Sequence, residues 1–128
     1  MKKNKKLMSI AKDLFPINRS LTGDGVRETL NYIKKIYPKL SIKSVPSGKK
    51  VFDWKTPLEW KILDGFIQDQ NGKKIADYKK NNLHIMSYSS NINKMIAFKD
   101  FKKKIYTIKN KPHTIPYVFS FYKKDWGF

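Results

Sequence analysis

The side chains able to do chemistry in this chain are few and scattered. Its two histidines, His84 and His113, lie far apart in sequence. His84 falls in Leu83-His-Ile-Met-Ser-Tyr-Ser89, in phase with Met86 and Tyr88, and reads as a partly buried strand histidine. A zinc site there would need two or three further ligands at fitting positions. His113 sits between Pro112 and Thr114 and reads as a surface or loop-pinning residue. No His-Glu-x-x-His string is present. Asp53, Glu59 and Asp64 accompany an aromatic segment and read as hydrogen-bonded turn residues. A paired-carboxylate acid/base site is the weaker alternative, because no spacing rule selects a pair. Ser20 and Ser47 lie in loops, outside any Gly-x-Ser-x-Gly pattern.

Other residues could bind rather than react. Thr22-Gly-Asp-Gly25 leads into a helix, and such an end can hold an anion. It lacks the Lys-Ser/Thr of a phosphate-binding loop, so helix capping by Thr22 or Asp24 is the better account. Arg19 beside it reads as a packing or capping group, with a carboxylate or phosphate contact as the alternative. Trp54 and Trp60 could stack on a base or sugar. Their large apolar faces fit core or interdomain packing better.

The elements that must position these residues follow from periodicity. Leu7, Ile10, Ala11 and Leu14 have amphipathic helical spacing, and Pro16 ends that helix. A second helix buries Val26, Leu30, Ile33 and Tyr37, carries Lys34 and Lys35 in its last turn, and stops at Pro38. From Leu40 the character changes. Leu40–Val45 alternates as a strand does, Pro46-Ser-Gly48 is a turn, and Lys50–Trp54 reads as a short strand. Trp60–Ile67 and Lys74–Tyr78 read as partners across the Asn71-Gly72 hairpin signal. Leu83–Ser89 alternates again, and Asp100 can cap a short third helix over Phe101–Tyr106. Six aromatics fall between Tyr117 and Phe128, a tail that needs a surface to bury it. Helices and strands are segregated, which predicts an α+β fold.

Composition narrows the function classes. At 128 residues the chain is one domain or a piece of a larger protein. No run of 18 apolar residues could span a membrane, and no membrane partner is expected. The basic N-terminus lacks the apolar stretch of a signal peptide, so a cytoplasmic location is expected. The absence of cysteine excludes disulfides and thiolate metal sites. The net charge of +18 suggests nucleic acid first. Yet it divides evenly: 15 basic and 6 acidic residues in 1–64, then 13 and 4 in 65–128. Only Arg19 and Arg27 supply the guanidinium fork that readers of base edges favour. A solvated lysine surface is the expectation, a nucleic-acid partner is not expected, and a basic module for nucleic acid or another polyanion is the alternative.

Four strings together resemble a known family. They are Leu14-Phe-Pro-Ile-Asn-Arg-Ser-Leu-Thr-Gly-Asp-Gly-Val-Arg-Glu-Thr-Leu30, Pro46-Ser-Gly…Val51-Phe-Asp-Trp54…Pro57…Glu59-Trp60, Asn82–Ser89, and Tyr106-Thr-Ile…Ile115-Pro-Tyr-Val118…Tyr122…Trp126-Gly-Phe128. In order and spacing they resemble a bacterial zinc-aminopeptidase-like family, described as polysaccharide-biosynthesis proteins with an aminopeptidase-like domain. The likeness covers nearly all of residues 7–128. It implies an α/β zinc-exopeptidase domain interrupted near its start by a β-rich domain of unknown function.

On that resemblance, residues 1–40 are opening helices of the peptidase domain, 41–110 the inserted domain, and 111–128 a return segment carrying the first aromatic strand of an otherwise missing catalytic domain. Arg19, Asp24, Ser47, Asp53, Trp54, Trp60, His84 and Trp126 fall in the family signatures as structural residues. The family's zinc ligands and acidic general base lie beyond Trp-Gly-Phe128, so no catalytic or metal-binding role passes to any residue here. The chain is therefore expected to be non-catalytic and truncated, or completed by a separately encoded remainder. Its tail would meet the missing catalytic domain or self-associate. Zinc would belong to the full-length family rather than to this chain. A scaffold for surface-polysaccharide assembly is a further reading from the family description alone.

Overall fold

A computed structural model describes residues 2–128, with side chains from residue 6 onward. The fold is α+β: three helices and two small antiparallel sheets. The chain divides into two compact units, one up to Lys61 and one from Ile62.

In the first unit, helix α1 runs Lys2–Leu14 and helix α2 runs Asp24–Ile36. Both expected helices form. The Tyr32 hydroxyl donates to Asp13 at 2.6 Å and ties α2 to α1. Arg19 donates to the Leu14 carbonyl and so caps the end of α1, where backbone acceptors lack partners. Two details differ from expectation. Gly23 is the residue preceding α2 and has no side chain to cap it, and Asp24 is the first residue of the helix rather than its cap. Tyr37 lies past the helix and is 63% exposed, and the expected stripe residues Val26, Leu30 and Ile33 are half-buried rather than buried.

The segment 41–50 is exposed throughout, and Leu40–Val45 forms no strand. Alternation alone does not make a strand, which also needs a neighbouring edge to pair with. The expected strand Lys50–Trp54 is instead a hairpin. Strand β1 (Lys50–Val51) pairs antiparallel with β2 (Trp54–Lys55), and Phe52-Asp53 forms the loop. Phe52 has φ 52°. Holding a bulky L-residue in this left-handed region costs about 1 kcal/mol.

The second unit contains strands β3 (Phe66–Gln68) and β4 (Lys74–Asp77), which pair antiparallel across the anticipated Asn-Gly turn. Asp69 accepts from the Asn71 and Lys73 amides at 2.9 and 2.8 Å and shapes that turn. The expected strand from Trp60 begins only at Phe66. Its preceding backbone is diverted where Asp64 accepts from the Gly65 amide at 2.8 Å. Leu83–Ser89 is likewise not a continuous strand. Asn81 accepts from Leu83 N–H at 2.9 Å and starts a single 3-10 turn, Asn82–His84. Side chains of this type compete with extended pairing in just this way. Tyr88, at φ 65°, ends the extended run. Helix α3 is shorter and earlier than expected, Phe98–Phe101 followed by a 3-10 turn Lys102–Lys104. Asp100 lies inside it and pairs with Lys103 at 2.8 Å rather than capping.

The aromatic tail is not loose. Ser87 donates to Val118 O at 3.0 Å and accepts from Ser120 N–H at 2.9 Å, forming a parallel bridge with Phe119. Met86 donates to Gly127 O and Ser90 to Asp125 O, at 3.0 and 2.7 Å. Phe128 exchanges backbone bonds with Lys104 and Tyr106. The expectation that this chain offers the tail nothing is thus corrected for its backbone. Three of its rings remain exposed: Tyr117, Phe119 and Tyr122 are 54%, 51% and 68% exposed. The chain exposes 10948 Å². Two separate compact domains of about 7.5 kDa each would together expose only about 8,500 Å².

Gly25, in the first turn of α2, leaves no room for a side chain. A Cβ there would sit 1.8 Å from Asn18 O. Gly25→Ala is therefore expected to lower the urea midpoint of the first unit, by at least about 2 kcal/mol in stability, toward the upper end of overpacking costs. An unchanged midpoint would show that the loop before α2 yields freely.

Candidate functional site

The densest side-chain constellation lies in the first unit, around the start of α2. Arg27, one turn into the helix, forks onto Glu59, with Nη1 2.8 Å from Oε1 and Nη2 donating to Oε2. The same guanidinium reaches Asp24 at 3.1 Å, and Lys61 closes the set at 2.6 Å from Asp24. Asp24 and Arg27 share a helix face because they are three residues apart. Glu59 and Lys61 share a side of an extended segment because they are two apart. An alternating four-charge row results.

Between those charges the backbones nearly touch. The Trp60 amide donates to Thr22 Oγ1 at 3.2 Å. A Cβ on Gly23 would lie 2.7 Å from Trp60 O, and Gly23 has φ 95°. Glycine is thus required both for the turn into α2 and for the approach of the 59–61 segment. Thr22-Gly-Asp-Gly25 therefore holds the extended 59–61 segment of its own chain, and Asp24 already fills the role an anion would have at the helix start.

The electrostatics define what this site can do. Hydrogen bonding to Lys61 holds the Asp24 carboxyl below its usual range, and hydrogen bonding to Arg27 does the same for Glu59. Raised values for Arg27, through Glu59, and Lys61, through Asp24, keep both cations charged. Two ionised carboxylates held by two fixed cations offer neither a general acid nor a free base near neutral pH. The arrangement is a latch between helix α2 and the extended 59–61 segment.

In the second unit, His84 lies on the 3-10 turn with Nδ1 3.2 Å from Asp77 N and 3.0 Å from Asp77 O. Asp77 is buried, and its side chain accepts from Lys79 N–H at 2.9 Å, the first cause of its lowered pKa. His84 is partly buried, as expected, but pins a β-turn rather than sitting in a strand. Trp126 is half-buried, with Lys104 Nζ 5.8 Å from its ring centre and Phe128 edge-on at 6.4 Å. Hydrogen bonding to that same Lys104 lowers Asp125.

The remaining sequence candidates are dispersed. Ser47 lies in the exposed turn before β1, Asp53 in the β1–β2 loop, and Trp54 on β2 at 47% exposure. Arg19 stays at the end of α1. Asp64 pairs with Lys79 at 3.2 Å. Among the described residues no three His, Cys, Asp or Glu side chains come together as metal ligands. The residues present therefore do not fit the zinc that the resemblance implies. Sequence reasoning passed over Arg27 and Lys61. A signal for Arg27 existed: in a chain with 26 lysines, a lone arginine inside a helix marks a need for bidentate geometry.

Comparison with known proteins places these features in a lineage. A family model described as a domain of unknown function, DUF2172, matches residues 59–128. A protein of Clostridium acetobutylicum, provisionally named for polysaccharide biosynthesis with an aminopeptidase-like domain, is 45% identical over 122 residues. That match covers 95% of this chain and 28% of the relative. A crystal structure from the same organism, provisionally described as a peptidase, superposes with a TM-score of 0.92 at 42% identity. It covers 99% of this chain and 30% of the solved one. The chain thus spans less than a third of the length of the relatives it matches.

The latch sets an acid limit. Carboxyls lowered in the folded state stabilise it above their ordinary values, near 3.8 for Asp24 and 4.5 for Glu59. That contribution is lost as pH falls through the lower folded values. The first unit is expected to be insensitive to pH from 7 to 5 and to lose stability below about 4.5. Glu59→Gln should flatten part of this acid limb in urea melts at pH 3 to 7. An acid limb unchanged in Glu59→Gln would assign the loss to other groups.

Proposed function

The chain belongs to the DUF2172 family, and on that premise we propose that it is the N-terminal, non-catalytic portion of a zinc-dependent aminopeptidase-like protein. The observation that carries this reading is one of proportion. The match runs along 99% of this chain but only 30% of a solved chain described as a peptidase. Hydrolysis of a peptide or amide bond would reside in the other part of such a protein, and the zinc would be held there. A bound zinc ion polarises the carbonyl and lowers the pKa of its water.

In this reading residues 1–40 open the peptidase domain, 41–110 form the inserted domain and 111–128 return toward the peptidase sheet. The exposed rings of Tyr117, Phe119 and Tyr122 support a covering partner. That partner is the catalytic remainder, or failing it a second copy of this chain. The outer edge of the tail favours such a contact. In the Ser87 bridge the N–H and C=O of Phe119 face away from Ser87 and meet no backbone partner among the described residues.

Aminoacyl-nitroanilides with added zinc test the assignment. The 128-residue chain is expected to show no zinc-dependent turnover, and the full-length Clostridium acetobutylicum relative to show it. Turnover by the 128-residue chain would overturn its non-catalytic role. Inactivity of the full-length relative across aminoacyl substrates would remove the peptidase assignment instead.

A further inference from the structure

The β1–β2 hairpin carries two features that its own folding does not explain. The first is Phe52. It occupies the first position of a two-residue hairpin loop at φ 52°, where Gly or Asn is favoured. It is 90% exposed, so no burial offsets the conformational cost. The second is the pairing of Lys50 directly opposite Lys55. Like charges in cross-strand register are destabilising. Val51 and Trp54 pair on the other face of the ribbon, and Trp54 is 47% exposed.

The stem beneath is firmly made. Gly48 N–H bonds to Thr56 O at 3.0 Å, and Thr56 N–H to Lys49 O at 2.9 Å. The Thr56 hydroxyl donates to Pro46 O at 2.7 Å and accepts from Lys49 N–H at 2.9 Å. A rigid mount thus presents an aromatic tip, a half-exposed tryptophan and exposed Lys49, Lys50 and Lys55, with Asp53 the one acid among them.

We propose that this hairpin is a docking tip for an anionic lipid surface: Phe52 and Trp54 enter the headgroup–acyl boundary while the lysines contact the anionic headgroups. Charge complementarity selects this occupant. Lysine is depleted from the buried core of protein–protein contacts. A cationic rim around an aromatic tip is what an acidic bilayer surface attracts, each near-surface lysine adding to the attraction. The lysine stems can lie along the interface while their ammonium groups stay wet. The contact is with a surface only. No helix among the described residues is long and apolar enough to cross a membrane, and lying on a bilayer is a separate physical claim from spanning it. The proposal does not rest on the peptidase reading.

The test uses the 128-residue chain with vesicles of phosphatidylcholine, alone or mixed with phosphatidylglycerol. Co-sedimentation is expected with the mixed vesicles and not with phosphatidylcholine alone. Phe52→Asn keeps the charge and suits the left-handed turn, so it should fold at least as well. It is expected to weaken partition roughly tenfold or more, in keeping with loss of a buried phenyl group. Phe98→Asn, at another exposed aromatic, should leave partition unchanged. Brominated acyl chains should quench tryptophan fluorescence in the parent, and that quenching should vanish in Trp54→Phe. Lys50→Gln with Lys55→Gln should weaken binding and reduce its salt dependence. Equal binding by Phe52→Asn and the parent would overturn the proposal, leaving only diffuse attraction to a chain of net charge +18. Absence of binding to the mixed vesicles would overturn it as well.

Discussion

Met86 and Tyr88 are the large apolar side chains that become buried among the described residues, while nineteen others remain exposed. Apolar burial is ordinarily the dominant favourable term in folding. Where it is this thin, long-range order must be carried by directional contacts. In the first unit those are the Arg27 fork and the Thr22–Trp60 bond. In the second they are the backbone bonds that join 86–90 and 104–106 to the tail. Such contacts fix geometry well, but each adds only about 1 kcal/mol net.

The local elements were legible where local chemistry decides them. The two long helices followed from 3.6-residue periodicity with Pro16 and Pro38 as stops. The β3–β4 hairpin followed from Asn71-Gly72. Strands are legible only where a partner edge exists. Leu40–Val45 alternates but has no edge to join. Lys50–Trp54 has the composition of a strand but turns at Phe52. Leu83–Ser89 alternates but is captured first by the Asn81 side chain. Each outcome depends on a contact that pattern reasoning cannot see, either a missing partner strand or a competing side chain.

The latch was half legible. Thr22-Gly-Asp-Gly25 stood out as a helix entry, and Trp60 as a large apolar group. What joined them was a pairing between Asp24, Arg27, Glu59 and Lys61 that spans more than thirty residues of sequence. Only the rarity of arginine hinted at it. The same holds for His84, whose titratable ring suggested chemistry and whose position shows it bracing the Asp77 turn. Each of these side chains meets a local partner: Arg19 bonds to the end of α1, Asp24 pairs with Arg27 and Lys61, His84 bonds to the Asp77 backbone, and Trp126 lies 5.8 Å from Lys104 Nζ.

The account rests on the idea that the tail edge is finished by protein outside these 128 residues. Hydrogen exchange at the amides of Tyr117, Phe119 and Phe121 measures this directly. These amides are expected to exchange rapidly in the 128-residue chain and slowly at the aligned positions of the full-length Clostridium acetobutylicum relative. Equally rapid exchange in both proteins would contradict the account, since the remaining chain would then leave the edge open. Equally slow exchange in both would contradict it too, since the short chain would already be complete.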